Sequence, residues 1–154
     1  MTFVIRAAET RDVDAAVEIV RDALAEHGMT FGVGSGTDEQ LRALPASYTD
    51  RGGAFFVADD GGRVIGTAGV YPLEPNVFEL RKMYLRKDAR GRGVGAALFD
   101  ACLAYCRARG ARTVVLDTHD SMATAIAFYE RRGFVRDDAQ LRGPRCTRGY
   151  RLDL

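Results

Sequence analysis

Residues 53–98 constrain the fold more than any other stretch. Three apolar runs, "GAFFVADD", "RVIGTAGVYPL" and "VFELRKMYL", follow one another closely. The first two are joined by "DDGG", a hairpin signature, because Asp and Gly tolerate the positive φ of tight antiparallel turns. No turn follows the third run. A basic, glycine-spaced segment, "RKDARGRGVG", leads instead into the amphipathic stretch "VGAALFDACLAYCRARG", and then into the short apolar strand "RTVVLDT". A hairpin-rich first half joined to a βαβα second half demands a mixed sheet with helices on both faces, in the α/β or α+β class.

The flanks fit that frame. "FVIRAAE" reads as a first strand. "TRDVDAAVEIVRDALAEHG" reads as a helix with Thr10 as N-cap and Gly28 as stop. "MTFGVGSG" is a glycine-rich loop, after which Thr37 or Asp38 caps a short helix through "EQLRAL". "SMATAIAFYERRG" is a helix capped by Ser121 and closed by Gly133, and "FVRDD" and "TRGYRLDL" are final strands. The predicted order is β-α-α-β-β-β-α-β-α-β-β. With 154 residues and no linker or repeat, residues 1–154 are read as one domain.

Bulk properties exclude several classes. A net charge of +1 argues against a broadly basic nucleic-acid binder. No apolar run is long enough to span a bilayer. The opening "MTFVIRAAETRDVD" lacks the apolar core of a secretory signal, which points to a cytoplasmic location. Cys102, Cys106 and Cys146 show no metal spacing, and His27 and His119 supply no familiar ligand pattern, so no metal is expected. Cys102 and Cys106, one helical turn apart, read as core side chains.

The loop from Arg90 to Ala96 sets Arg90 and Arg92 around Gly91, Gly93 and Gly95, followed by Val94 and Ala96 at a helix start. Glycines, arginines and helix N-terminal amides together suit an anion. A nucleotide P-loop needs Gly-Lys-Ser/Thr, which is missing. "GRGVGA" matches a dinucleotide fingerprint, with Asp117 at a strand end further on. That fingerprint should follow its strand directly, however, and here "RKDAR" intervenes. A third reading is the diphosphate of coenzyme A, and a strand-to-helix turn with its arginines in solvent is the plain alternative.

At this point the chain resembles the GNAT-type N-acetyltransferases. "LRKMYLRKDARGRGVGAAL" resembles that family's acetyl-CoA signature, with Arg90, Gly93 and Gly95 at its Arg/Gln-x-x-Gly-x-Gly/Ala positions. "AIAFYERRGF" resembles its second signature. The resemblance implies a mixed, mostly antiparallel twisted sheet with a bulge in the strand before the loop. It implies acetyl-CoA as co-substrate, held by the backbone of Met83, Tyr84 and Leu85 and by the amides from Gly91 to Ala96. It also implies a small-molecule amine acceptor, packing of Met122 rather than hydrogen bonding, and a homodimer option through the C-terminal strands. A non-catalytic acyl-CoA-binding domain of the same fold is the alternative.

The chemistry can be stated independently. An alkylammonium titrates near 10.4, so freeing the amine at pH 7 costs about 4–5 kcal/mol unless a base helps. Glu79 is the candidate base, directly or through water. Strand alternation sets it on one side with Arg81 and Met83, and pairing with Arg81 or Lys82 is its competing role. A backbone N–H near Met83 or Leu85 is the expected oxyanion donor. On its own Tyr129 reads as a core aromatic beside Phe128; the resemblance implies that it is the acid for the leaving thiolate. The resemblance implies an acceptor pocket between "HGMTFGVGSGTD" and "GPRCTRGY". Tyr48 and Tyr71 are within reach of it, and Arg142, Arg145 and Arg148 are available to an acceptor carboxylate.

Overall fold

The computed structural model describes residues 2–154. Strand β1 (Phe3–Ala7) leads into helix α1 (Val13–Ala25), and a 3-10 segment (Asp38–Ala43) precedes the single turn α2 (Ala46–Thr49). Strands β2 (Ala54–Asp60), β3 (Arg63–Glu74) and β4 (Val77–Leu85) form a meander. Helix α3 (Val94–Ala108), strand β5 (Thr113–Thr118), helix α4 (Ala123–Arg131) and strands β6 (Val135–Arg136) and β7 (Arg148–Asp153) complete the chain. The seven strands form one sheet in the order β1-β2-β3-β4-β5-β7-β6. Neighbours are antiparallel except β4 and β5, which run parallel because α3 crosses between them.

Alternation along the strands feeds two cores. One face buries Ile65, Val70, Phe78 and Leu80 against Leu98, Phe99, Cys102 and Cys106 of α3 and Ile126 of α4. The other buries Phe55, Val57 and Val64 against Val17, Val20 and Leu24 of α1, with Leu41 and Tyr48. The β2–β3 turn uses Gly61 (φ +60°) and Gly62 (φ +99°), as "DDGG" predicts.

Local expectations fail where a neighbouring group competes for the same cap or hydroxyl. Thr10 does not cap α1, because the buried Asp12 carboxylate accepts from the Glu9 amide at 2.7 Å and opens a short 3-10 turn first. The Ser121 hydroxyl pairs with His119 Nδ1 instead of capping α4. "FVRDD" contributes only two strand residues at the sheet edge.

The strand feature that shapes the site is in β4. Gly69 pairs with Arg81 and Thr67 with Tyr84, so two residues of β4, Lys82 and Met83, face one of β3, Ala68, across this interval. Lys82 takes up the surplus in the left-handed region (φ +55°), a β-bulge. Its carbonyl accepts from the Thr67 hydroxyl at 2.7 Å. Expected alternation breaks there. Glu79 and Arg81 share the α1 side of the sheet with Lys82, whereas Met83 packs on the α3 side and not beside them. Gly66 lets β3 pass close to Leu85; a Cβ there would lie 2.6 Å from Leu85 Cδ2, so that side chain would have to shift.

Candidate active site

The parallel pairing of β4 and β5 is short. It joins Val77–Glu79 to Thr113–Val115 and stops, while β4 continues to Leu85 and β5 to Thr118. The diverging ends open a wedge, and a cavity of about 690 Å³ occupies it. Glu79–Leu85, Leu116–Thr118 and residues 121–125 line it, with Phe128 and Tyr129 of α4, the Gly34–Thr37 loop and the segment around Arg142 and Arg145. A ligand site at the C-terminal ends of diverging parallel strands is a common use of such sheets.

The glycine loop stands at one end of this wedge. Gly91 and Gly93 have φ of +76° and +79°, and a Cβ built on either meets nothing within 4 Å. The amides of Gly91, Arg92, Gly93, Val94, Gly95 and Ala96 donate to no described residue, and the first amide of this run that does is that of Ala97, to the Gly93 carbonyl. Six successive unpartnered N–H groups at a helix N-terminus form a cradle for an anion. Arg90 lines the cavity, donates to both Glu26 carboxylate oxygens (2.9 and 2.7 Å) and reaches the Leu85 carbonyl. Arg92 pairs with Asp60 at 3.1 Å and is not part of the cavity wall. Both arginines thus have protein carboxylate partners.

At the other end, Glu79 is buried yet lines the cavity. One oxygen accepts from Arg81 Nε, and the other lies 3.9 Å from Arg142 Nε. Arg81 is held in place by Gln40 and by the Tyr71 ring, 4.1 Å beneath its guanidinium. Tyr71 and Tyr48, which pack edge-to-face, are therefore supports and not cavity walls. Tyr129 lines the cavity from α4. Burial pushes its phenol well above the ordinary range, so it is protonated at neutral pH. Met122 packs in the α1-side core, with its sulfur 3.6 Å from the Thr118 hydroxyl.

Residues 17–134 match the profile of the Acetyltransferase (GNAT) family. The chain belongs to the GNAT acetyltransferase family. A functionally uncharacterized N-acetyltransferase of Escherichia coli K12, YjgM, is 32% identical over 142 residues, covering 90% of this chain and 85% of YjgM. A GNAT acetyltransferase structure from Staphylococcus aureus Mu50 superposes with a TM-score of 0.89 at 21% identity, covering 98% of each chain. The PaiA N-acetyltransferase of Thermoplasma acidophilum, solved with coenzyme A, superposes with a TM-score of 0.81 at 17% identity over the full length of both chains. The mixed seven-stranded sheet is thus the GNAT fold, and the chain is an acetyltransferase.

The GNAT signatures do not reveal a buried ion cluster behind the cavity wall. Asp38 is fully buried, so it does not cap an exposed helix. Its Oδ1 accepts from Lys82 Nζ and, at 3.1 Å, from Arg145; its Oδ2 accepts from Arg145 at 2.8 Å and from the Gly32 amide at 2.7 Å. Burial alone would raise the Asp38 carboxyl, but the bonds from Arg145 and Lys82 outweigh it and hold the group well below the usual carboxylate range. Burial pulls the Lys82 ammonium down, against the pull of Asp38. The cluster ties the glycine-rich loop, the β4 bulge and the 142–146 segment together. It also removes Arg145 from the set expected to meet an acceptor. Arg148 is removed as well, pairing with Asp120 at 2.6 Å. Asp117 is not available to a ribose, because it accepts from the amides of Arg142 and Gly143 at 2.9 and 3.3 Å. No helix among the described residues is long and apolar enough to cross a membrane.

Proposed function

We propose that this protein transfers the acetyl group of acetyl-CoA to the primary amine of a small, amino-acid-like molecule by direct attack within a ternary complex. The observation that carries the reading is the run of six unpartnered amides, Gly91 to Ala96, at the mouth of a wedge between two diverging strands. That arrangement fits the diphosphate and extended arm of coenzyme A. The amides would hold the diphosphate. The backbone of Met83, Tyr84 and Leu85, on the edge of β4 beyond its last pair with β5, would bond the pantetheine arm. Acetyl-CoA supplies an activated acyl group as a thioester.

The chain's own residues then have defined tasks. Glu79 withdraws the proton of the incoming ammonium at its carboxylate, directly or through an ordered water. The surrounding guanidinium groups disfavour the acceptor's charged form, which acts toward a free amine. The bulge at Lys82 supplies backbone donors near Met83 for developing negative charge. The Tyr129 hydroxyl, kept protonated by burial, donates to the departing sulfur. No cysteine is needed. Cys102 and Cys106 lie in the α3-side core, and burial pushes the Cys146 thiol up to about 12. The test is incubation with acetyl-CoA and a panel of amines while following free thiol. Amine-dependent release is expected; acetyl-CoA binding without release for any amine would leave only a non-catalytic acyl-CoA-binding domain.

A further inference from the structure

The acceptor end of the cavity holds one guanidinium that is fixed in place but only partly engaged. The backbone of Arg142 is anchored, because Asp117 accepts from its amide and from that of Gly143. Its side chain is 39% exposed and lines the cavity. Nη1 donates to the carbonyl and side-chain oxygens of Gln140, at 2.8 and 3.2 Å. Nη2 has no partner among the described residues, and Nε stands 3.9 Å from a Glu79 oxygen that is too far to accept well.

Charge points the same way. Arg81, Lys82, Arg142 and Arg145 meet here against three carboxylates, those of Asp38, Glu79 and Asp117. Asp38 serves Lys82 and Arg145, and Glu79 is committed to Arg81. Asp117 accepts two backbone amides at Oδ2 and keeps its charge, so the surplus here is one positive charge. A second cationic group on an acceptor would therefore enter a region already rich in positive charge, whereas a carboxylate would complete it.

Building on the acetyl-transfer reading, we propose that Arg142 binds the carboxylate of the acceptor, so that the acceptor is an α-amino acid with its amine beside Glu79. The sizes agree. The amine nitrogen and carboxylate carbon of an α-amino acid are about 2.5 Å apart across one tetrahedral carbon. A zwitterion lying alongside the Glu79–Arg142 pair can thus set its ammonium at Glu79 and its carboxylate at Arg142. A guanidinium with two free donors on one edge suits a planar carboxylate. A diamine or polyamine offers Arg142 nothing.

The experiment follows acetyl-CoA-dependent thiol release with each of the twenty L-amino acids. The best of them is then compared with its own carboxamide and its decarboxylated amine, on the wild type and on Arg142→Gln. Acetyl-CoA binding is measured by calorimetry on both proteins. The acid is expected to exceed the amide in kcat/KM by roughly tenfold to a hundredfold, the usual effect of a charge-assisted hydrogen bond. In Arg142→Gln that ratio falls toward one, mainly through KM, while acetyl-CoA affinity is retained. Amide and decarboxylated amine equal to the acid in the wild type would overturn the proposal. So would an unchanged ratio in the variant, or turnover of other amines with no amino acid accepted; in all three cases acetyl transfer itself stands. Thiol release with no amine at all would instead refute the transfer reading, and the carboxylate site with it.

Discussion

Asp38→Asn tests the buried cluster that holds the acceptor side of the cavity together. The substitution is nearly isosteric but removes the one anion between Lys82 and Arg145, whose side chains are only 5% and 12% exposed. Two buried cations then face each other without a counter-charge, and an amide NH₂ turned toward either adds a further clash of donors. Breaking a buried ion pair by removing one partner costs about 3–5 kcal/mol. For a chain of this length each kcal/mol lowers Tm by about 2–4 °C, so the expected fall is about 6–20 °C. Lys82→Met should be milder, because Asp38 keeps both contacts to Arg145 and the Gly32 amide. Adding Lys82→Met to Asp38→Asn should recover part of the loss. The sign with pH follows from the depressed Asp38 carboxyl. Its contribution is fully present above the unfolded carboxylate value of about 3.9 and is lost as pH falls below that toward the lower folded value. The gap between wild type and Asp38→Asn should therefore be flat from pH 7 to about 5 and narrow in stronger acid. Urea unfolding followed by far-UV circular dichroism measures this, the chain having no Trp. A loss under about 1 kcal/mol, or a gap that widens in acid, would refute the reasoning.

Three further outcomes follow from the site. Tyr129→Phe removes a hydroxyl at the cavity wall while keeping the ring, so stability should change little while kcat falls about 10²-fold or more; stopped assays and thermal melts separate the two effects. Glu79→Gln should lower kcat/KM by a similar factor, with the largest deficit below the acceptor's own pKa, and a pH–rate profile checks it. Gly93→Val puts a β-branched residue at φ +79° at the foot of the cradle, so calorimetry should show acetyl-CoA affinity falling at least tenfold in a protein that still folds.

Element order was legible because turn chemistry is local. "DDGG", the glycines closing α1 and α3, and the 3.6-residue periodicity each depend on a few neighbouring residues. The glycine loop was legible for the same reason. The resemblance implied a bulge in β4 but not its residue, because a lysine gives no sign of left-handed backbone, and strict alternation therefore set Met83 on the wrong side of the strand. Charge pairing was equally hidden. Asp38 finds Arg145 across 107 positions and Lys82 across 44, distances over which sequence pattern carries no register. Three arginines looked equally free in "RGPRCTR", yet tertiary partners leave only Arg142 facing the cavity with donors to spare.

The central claim is that the amides from Gly91 to Ala96 grip a diphosphate. Calorimetric titration with acetyl-CoA and with S-acetylpantetheine, which carries the same thioester and arm without the diphosphate, tests it most directly. Loss of even two charge-assisted hydrogen bonds at about 1.5 kcal/mol each predicts at least a hundredfold weaker binding of the truncated thioester. Equal affinity for the two, or no binding of acetyl-CoA, would contradict it.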